Sequence, residues 1–154
     1  MGGLTCLAVV VAVLVLVAWP DGEPTAAGDA LAASTNPDLD FAAVNSAVKP
    51  GGLVSFKVAN GTDSLVSFGL GGEVQHREKG RWVDVTRDVL GDQLIFAILL
   101  FAEPGETVGP KYDADVYDGL KLPHSIPPGP YRLTREFQIK KQGKTDERAY
   151  FRVR

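Results

Sequence analysis

FAEPGETV at residues 101–108 and IPPGPYRLTREFQI at residues 126–139 are the two most informative segments of this chain. In each of them an apolar residue or run is followed by Pro-Gly and then by a second apolar run. Proline and glycine favour turns, and apolar runs separated by such turns are typical of antiparallel strands. The two segments therefore predict an antiparallel all-β domain.

Tyr131 lies two residues after Gly129, at the start of a predicted strand. A tyrosine in this position is typical of the tyrosine corner of β-sandwiches, whose hydroxyl bonds to backbone a few residues upstream. We therefore predict that Tyr131 is buried and that its hydroxyl contacts the backbone of residues 122–128. The same strand carries three apolar residues on one face, namely Leu133, Phe137 and Ile139.

Arg135 falls on this apolar face as well. A charged side chain cannot be left unpaired in a core, because the loss of its hydration is costly. We therefore predict either a bulge in the strand at Arg135 or a side chain whose charged end reaches solvent.

Alternating apolar and polar residues predict the other strands, because successive side chains of a strand point to opposite faces. The alternation is clearest over residues 54–58, and the Asn60-Gly61 turn that follows predicts a hairpin with residues 66–70. The glycines within residues 69–72 indicate a bulge or a close approach of two backbones. In total we predict seven to eight strands. The remaining ones are at residues 39–43, 74–76, 82–85, 94–101, 131–140 and 147–153. A polar turn at residues 78–81 joins the strands at 74–76 and 82–85, and a closing hairpin across residues 142–144 joins the last two.

The N-terminal part of the chain predicts export. Residues 4–19 carry no charge and Pro20 ends them, but these 16 residues are fewer than the roughly 20 that a transmembrane helix needs. We predict a signal peptide, or alternatively an uncleaved anchor, over residues 1–27, a flexible tether over residues 28–38 and one domain over residues 39–154. The protein is then secreted or at the cell surface, and it touches a membrane only through an uncleaved N-terminal segment.

Residue types that carry catalysis or bind metals are scarce in this sequence. Cys6 is the single cysteine and lies in the apolar segment, so the mature chain has no thiol for a disulfide, a zinc site or a nucleophile. His76 and His124 are the only histidines, and no serine lies in a G-x-S-x-G pattern. The acidic run at residues 113–118 is out of register for a calcium loop. We predict no catalytic, cofactor-binding or metal-binding residues and no enzymatic activity.

Two single residues have structural interpretations. His76 lies alone in a predicted outward strand, and we expect it at the surface. Trp82 is expected to be a core or rim aromatic rather than a ligand platform, because tryptophan is usually well buried.

The charges of the chain are unevenly distributed. The 16 basic and 19 acidic residues give a net charge of −3, which does not indicate nucleic-acid binding. Half of the basic residues follow Tyr131, in the predicted closing hairpin. Such a cluster favours either a solvated outer face with edge-protecting lysines or a contact face for an anionic cell envelope.

The order of motifs resembles that of a known family. VSFKVANGT (54–62), GRWVDV (80–85), EPGE (103–106) and PPGPYRL (127–133) resemble the small bacterial immunoglobulin-like domains of exported and cell-surface proteins. The resemblance covers about residues 39–154. It implies an immunoglobulin-like antiparallel β-sandwich that acts as a non-catalytic binding or presentation module, with an unknown protein or cell-envelope partner.

The same layout also resembles the bacterial intracellular proteinase inhibitors of the BsuPI type, which are sandwich-like as well. An exported proteinase inhibitor is therefore the alternative function. It would need a rigid, exposed loop that a protease cleft can hold, and residues 69–73 or 87–93 are the candidates.

Overall fold

The computed structural model describes residues 36–91, 98–110 and 119–154. These residues form eleven strands and one short helix. The elements are β1 (Leu39–Ala43), β2 (Ala47–Val48), β3 (Leu53–Asn60), β4 (Val66–Gly69), β5 (Glu73–Glu78), β6 (Arg81–Asp84), α1 (Thr86–Leu90), β7 (Leu99–Ala102), β8 (Thr107–Val108), β9 (Gly119–Lys121), β10 (Gly129–Ile139) and β11 (Gly143–Val153).

The strands form two sheets. In the four-stranded sheet β3 pairs with β1, β8 and β9, and in the seven-stranded sheet the order is β2-β11-β10-β4-β7, with β5 beside β10 and β6 beside β5. The β2–β11 pair is parallel and the others are antiparallel. The predicted all-β sandwich is confirmed. The predicted strand number is too low, because strands of two or three residues such as β2, β8 and β9 are too short to show an alternating pattern.

An apolar core lies between the sheets, because alternate side chains of each strand point inward. The rings of Phe41 and Phe137 bring the two sheets together with centroids 5.5 Å apart, and those of Phe56 and Phe151 are 6.3 Å apart. These pairs stabilise the sandwich through burial and through their edge-to-face geometry. Tyr131 is buried in the same core.

The predicted hairpin across Asn60-Gly61 is wrong, because β3 and β4 lie in different sheets. Asn60 is only 1 % exposed, and its Nδ2 donates to the carbonyl oxygens of Ser64 and Ala102, at 2.9 Å each. Its Oδ1 accepts from the backbone N–H and the hydroxyl of Thr62, at 3.0 and 2.7 Å. These bonds fix the connection along which the chain passes from β3 in one sheet to β4 in the other.

The other two predicted hairpins are confirmed. β5 pairs with β6 around Lys79 and Gly80, whose φ angles of 49° and 82° lie in the left-handed region that tight hairpins use. β10 pairs with β11 along its whole length, from Gly129 opposite Val153 to the turn. The apolar run at residues 94–101 ends in β7, while its first four residues lie outside the described part.

Arg135 is buried, at 2 % exposure, and lies in an unbroken register, so neither a bulge in β10 nor a solvent-reaching side chain is present. The interruption lies instead at residues 69–72, where the segment that joins β4 to β5 runs beside β10. There the guanidinium donates to the carbonyl oxygens of Leu70 and Gly71, at 3.0 and 3.2 Å. Its opposite residue on β11 is Glu147, which is 1 % exposed. The core therefore contains two ionisable side chains at opposite register positions of β10 and β11.

The domain begins before residue 39. The backbone N–H of Asn36 donates to the Glu147 carboxylate at 3.2 Å, and the carbonyl of Asp38 accepts from Gly61 at 2.7 Å. The end of the predicted tether is thus part of the fold. The predicted export segment lies outside the described residues, and within the described ones no helix is long and apolar enough to cross a membrane.

Candidate functional site

The outer face of the seven-stranded sheet carries a group of arginines and aromatic rings. Side chains of β5, β6, β10 and β11 that do not enter the core point to this side. Cross-strand register places Arg132 opposite Tyr150 and Trp82 opposite Arg77. We name this surface the basic face and define it by Arg77, Trp82, Arg132, Arg148, Tyr150 and Arg152.

Trp82 is at the centre of the basic face. The guanidinium carbon of Arg132 lies 4.5 Å from the centroid of its ring, that of Arg77 lies 5.8 Å away, and the Tyr150 ring is at 5.9 Å. Arg132 Nε also donates to Gln75 Oε1 at 2.6 Å. Such cation–π contacts hold the guanidinium groups in place. Trp82 is therefore a half-buried aromatic of the outer surface and not a core residue.

The acidic residues near the basic face have local partners. Glu136 pairs with Lys144 at 2.8 Å, toward the hairpin end. Asp84 accepts from the hydroxyl of Thr86 at 2.6 Å and from its N–H at 2.9 Å, and these two bonds lower the pKa of Asp84. The Tyr150 hydroxyl is buried and has no hydrogen-bond partner among the described residues.

A pocket of about 390 Å³ lies where β5, α1 and the connection before β10 meet. We name it the His76 pocket. Its polar lining is His76, Glu78, Asp88 and Ser125, and its apolar lining includes Val85, Val89, Ile126 and the prolines of the connection.

His76 is 7 % exposed, contrary to the expected surface position. Its ring stacks on Tyr131 with centroids 4.3 Å apart and an interplanar angle of 13°, and Nδ1 lies 3.3 Å from Glu78 Oε1. Gly129 leaves room for the ring, because a Cβ there would lie 2.7 Å from His76 Nε2. The sequence does not indicate this stack, because it depends on the pairing of β5 with β10, which places His76 opposite Tyr131.

Tyr131 forms the predicted corner. It is 1 % exposed, and its hydroxyl donates to the carbonyl oxygen of Pro127 at 2.8 Å. Burial, and secondly the charge of Glu78, raise the pKa of Tyr131 to about 12. The hydroxyl therefore remains a donor throughout the neutral range.

Replacement of Tyr131 by phenylalanine is expected to lower the free energy of unfolding by about 0.5 to 1.5 kcal/mol, the usual net value of one hydrogen bond. Because the pKa in the folded state is above that of the unfolded state, this group stabilises the fold at low and neutral pH and ceases to do so as the pH rises from about 10 to about 12. Denaturant unfolding across this window measures both effects. An equal alkaline loss in Tyr131→Phe would contradict the assignment.

The first candidate inhibitory loop contacts β10, and the described part of the second lies in and directly after α1. Carbonyl oxygens within residues 69–73 accept from Arg135, and a Cβ at Gly72 would lie 2.5 Å from the carbonyl oxygen of Thr134. This close backbone approach was predicted from the glycines. Residues 87–90 belong to α1, and residues 92 and 93 lie outside the described part.

His124 is exposed, lies next to Gly51 and is not part of the lining of the His76 pocket. Across residues 36–91, 98–110 and 119–154, no three side chains of His, Cys, Asp or Glu lie close enough together to hold a metal ion. The acidic run at residues 113–118 lies outside these ranges.

The fold and these surfaces define an all-β sandwich domain. No family model matches the sequence, and no curated protein matches it. Among solved structures, the chain is similar to Spo0M, a sporulation control protein from Bacillus subtilis, with a TM-score of 0.38 and 11% identity over 79% of this chain and 49% of that one. It is also similar to a family 123 glycoside hydrolase from Clostridium perfringens, with a TM-score of 0.33 and 10% identity over 76% of this chain and 27% of that one. The chain thus spans about half or less of each of these structures.

Proposed function

We propose that this protein is a non-catalytic, immunoglobulin-like module of the exported or cell-surface kind, which binds an anionic partner of the cell envelope through the basic face. The observation that carries the proposal is the contact of Arg132 and Arg77 with the ring of Trp82 on an outer sheet surface. The module requires no catalytic residue and no cofactor.

Arginine is well suited to such a partner. Its planar guanidinium presents several donors in a fork that matches carboxylate and phosphate groups. On the basic face, Arg77 and Arg132 are the two whose positions are restrained by Trp82 and, for Arg132, by Gln75. Restraint of side chains before binding lowers the entropy that binding costs. The contact surface is therefore largely formed before the partner arrives.

The arrangement of strands adds to the effect of these two residues. Arg148 and Arg152 lie on alternate outer positions of β11, beside Tyr150. Together with Arg77 and Arg132 they give four positive charges on one side of the sheet, and Asp84 next to them is bonded to Thr86. Glu136 and Asp146 lie farther along the same face, so the positive potential is concentrated around the four arginines and attracts a polyanion there.

The proposal is tested by retention of the full chain on envelope fractions and on secreted proteases of the source organism. We expect retention by anionic wall material at low salt and its loss near 1 M salt, where the screening length falls to about 3 Å. Retention by a protease with stoichiometric loss of that protease's activity would instead favour the inhibitor. Retention by wall material that persists at high salt would overturn the role of charge.

A further inference from the structure

We propose that the His76 pocket binds a small organic cation, with the charged head at Glu78 and Asp88 and the apolar body against Val85, Val89 and Ile126. This inference does not rest on the proposed function. It concerns another part of the domain, with the opposite sign of charge.

The size of the pocket fits a small ligand. Its volume of about 390 Å³ falls in the lower part of the range of about 300 to 1,000 Å³ in which ligand sites are found. Its lining is mixed, because α1 and the connection before β10 supply apolar side chains and also Asp88 and Ser125. Ligand sites commonly combine apolar side chains with a few polar groups that orient the ligand.

The walls of the pocket are held by hydrogen bonds that involve backbone groups on both sides. Thr86 ties the start of α1 to β5, because its hydroxyl accepts from the N–H of Val74 at 2.8 Å and the neighbouring N–H of Val85 donates to the Val74 carbonyl at 2.9 Å. On the other side, the Tyr131 hydroxyl holds the connection at Pro127. The cavity therefore exists before a ligand enters, which lowers the cost of binding.

The charge of the lining selects a cation. Glu78 and Asp88 are both exposed at the pocket, and the described lining includes no lysine or arginine. Glu78 Oε1 lies 3.3 Å from His76 Nδ1. The Glu78 side chain is 54% exposed, so a ligand can reach its carboxylate. Two carboxylates at one opening repel an anion and attract an ammonium group. The apolar side chains of the lining in turn favour a cation with a hydrocarbon body.

The test is a titration of the full chain with benzylamine, followed by the amide signals in two-dimensional NMR. Benzylamine is cationic at neutral pH, and benzyl alcohol is its neutral counterpart of the same shape. We expect saturable shifts at residues 85–89 and 125–131 for benzylamine, and binding at least about 10-fold weaker for benzyl alcohol, as for the loss of two partly exposed ion pairs. N-acetyl-lysine amide is a second probe, which represents a lysine side chain of a protein partner, whereas benzylamine represents a small free amine. Saturable binding of either probe supports the site.

Two variants and a control complete the test. Glu78→Gln and Asp88→Asn should each weaken benzylamine binding by about 3- to 5-fold. Glu103→Gln removes the same charge from an exposed residue that does not line the pocket, and it should leave the affinity unchanged. Asp88 is exposed on α1, so its variant reports on binding even if Glu78→Gln perturbs the fold. Equal binding of amine and alcohol, shifts elsewhere, or equal effects of all three variants would overturn the proposal.

Discussion

Replacement of Arg135 by methionine is expected to lower the free energy of unfolding by about 3 to 5 kcal/mol, because hydrogen bonds to charged groups contribute about 1.5 to 3 kcal/mol each and the buried guanidinium makes two of them. Arg135 and Glu147 are 2 % and 1 % exposed and are opposite each other on β10 and β11. Loss of the guanidinium leaves the carboxylate in the core. It also removes the donor of the Leu70 and Gly71 carbonyl oxygens.

The packing around Arg135 makes the loss larger. The guanidinium carbon lies 4.7 Å from the centroid of the Phe41 ring and 5.8 Å from those of Phe56 and Phe68. Cation–π attraction is strongest when, as here, the cation is removed from water. Methionine restores part of the volume of the side chain, so the expected effect reports on charge and hydrogen bonding more than on a cavity.

Chemical denaturation of the variant measures this prediction. Lys140→Met serves as the control, because Lys140 is an exposed base next to the same strand, and a change within about 0.5 kcal/mol is expected. The double variant Arg135→Met with Glu147→Leu should recover part of the loss, since neither position then places a charged side chain in the core. A loss below about 1 kcal/mol for Arg135→Met would contradict the stabilising role of the buried, hydrogen-bonded guanidinium.

The second large effect is expected at Asn60. Asn60→Ala should lower the free energy of unfolding by about 3 kcal/mol, because buried polar groups that lose their partner cost about 1 to 3 kcal/mol each. The substitution leaves the carbonyl oxygens of Ser64 and Ala102 without this donor and the Thr62 hydroxyl without this acceptor. All three bonds are buried, and they join the end of β3 to the connection that follows it and to β7.

Asn45 provides a matched control for this prediction. Its side chain also bonds to backbone twice, donating to Leu53 O at 2.6 Å and accepting from Ser55 N at 2.7 Å, but it is only half-buried. Water can replace these bonds, so Asn45→Ala is expected to cost about 1 kcal/mol or less. Similar losses for the two alanine variants in denaturant unfolding would show that burial of the Asn60 network is not what stabilises the connection.

Local patterns in the sequence predicted those parts of the fold that depend on neighbours in the chain. The polar turn at residues 78–81, the alternation within β3 and the corner at Tyr131 each depend on a few adjacent residues. Such features follow from backbone sterics and strand geometry, which a single sequence contains.

The errors concern contacts between distant residues. Asn60-Gly61 favours a reversal of the chain, but the sheet that β4 joins depends on β10, about 70 residues later. The parallel pairing of β2 with β11 and the five-residue helix α1 are likewise too short to leave a periodic pattern. The sequence predicted that Arg135 avoids the core, because it does not reveal which groups meet this side chain. They are the carbonyl oxygens of Leu70 and Gly71, which accept its hydrogen bonds, and Arg135 also lies opposite Glu147 in the register.

The candidate surfaces were only partly predictable. The cluster of basic residues after Tyr131 indicated a charged face, and β11 indeed contributes Arg148 and Arg152 to it. The contact of Arg132 with Trp82 was not predicted, because it joins β10 to β6 across β5. The His76 pocket was missed for a similar reason, since its lining comes from three separate parts of the chain.

The role of the basic face is tested most directly by titration calorimetry with a linear polyphosphate at low salt. The double variant Arg77→Gln with Arg132→Gln should bind about 10-fold more weakly than the unaltered protein. Lys57→Gln with Lys121→Gln makes the same change in net charge on β3 and β9 of the other sheet, and it should bind like the unaltered protein. Equal loss of affinity in both double variants would show that net charge, and not the basic face, attracts the polyanion, and would contradict the proposal.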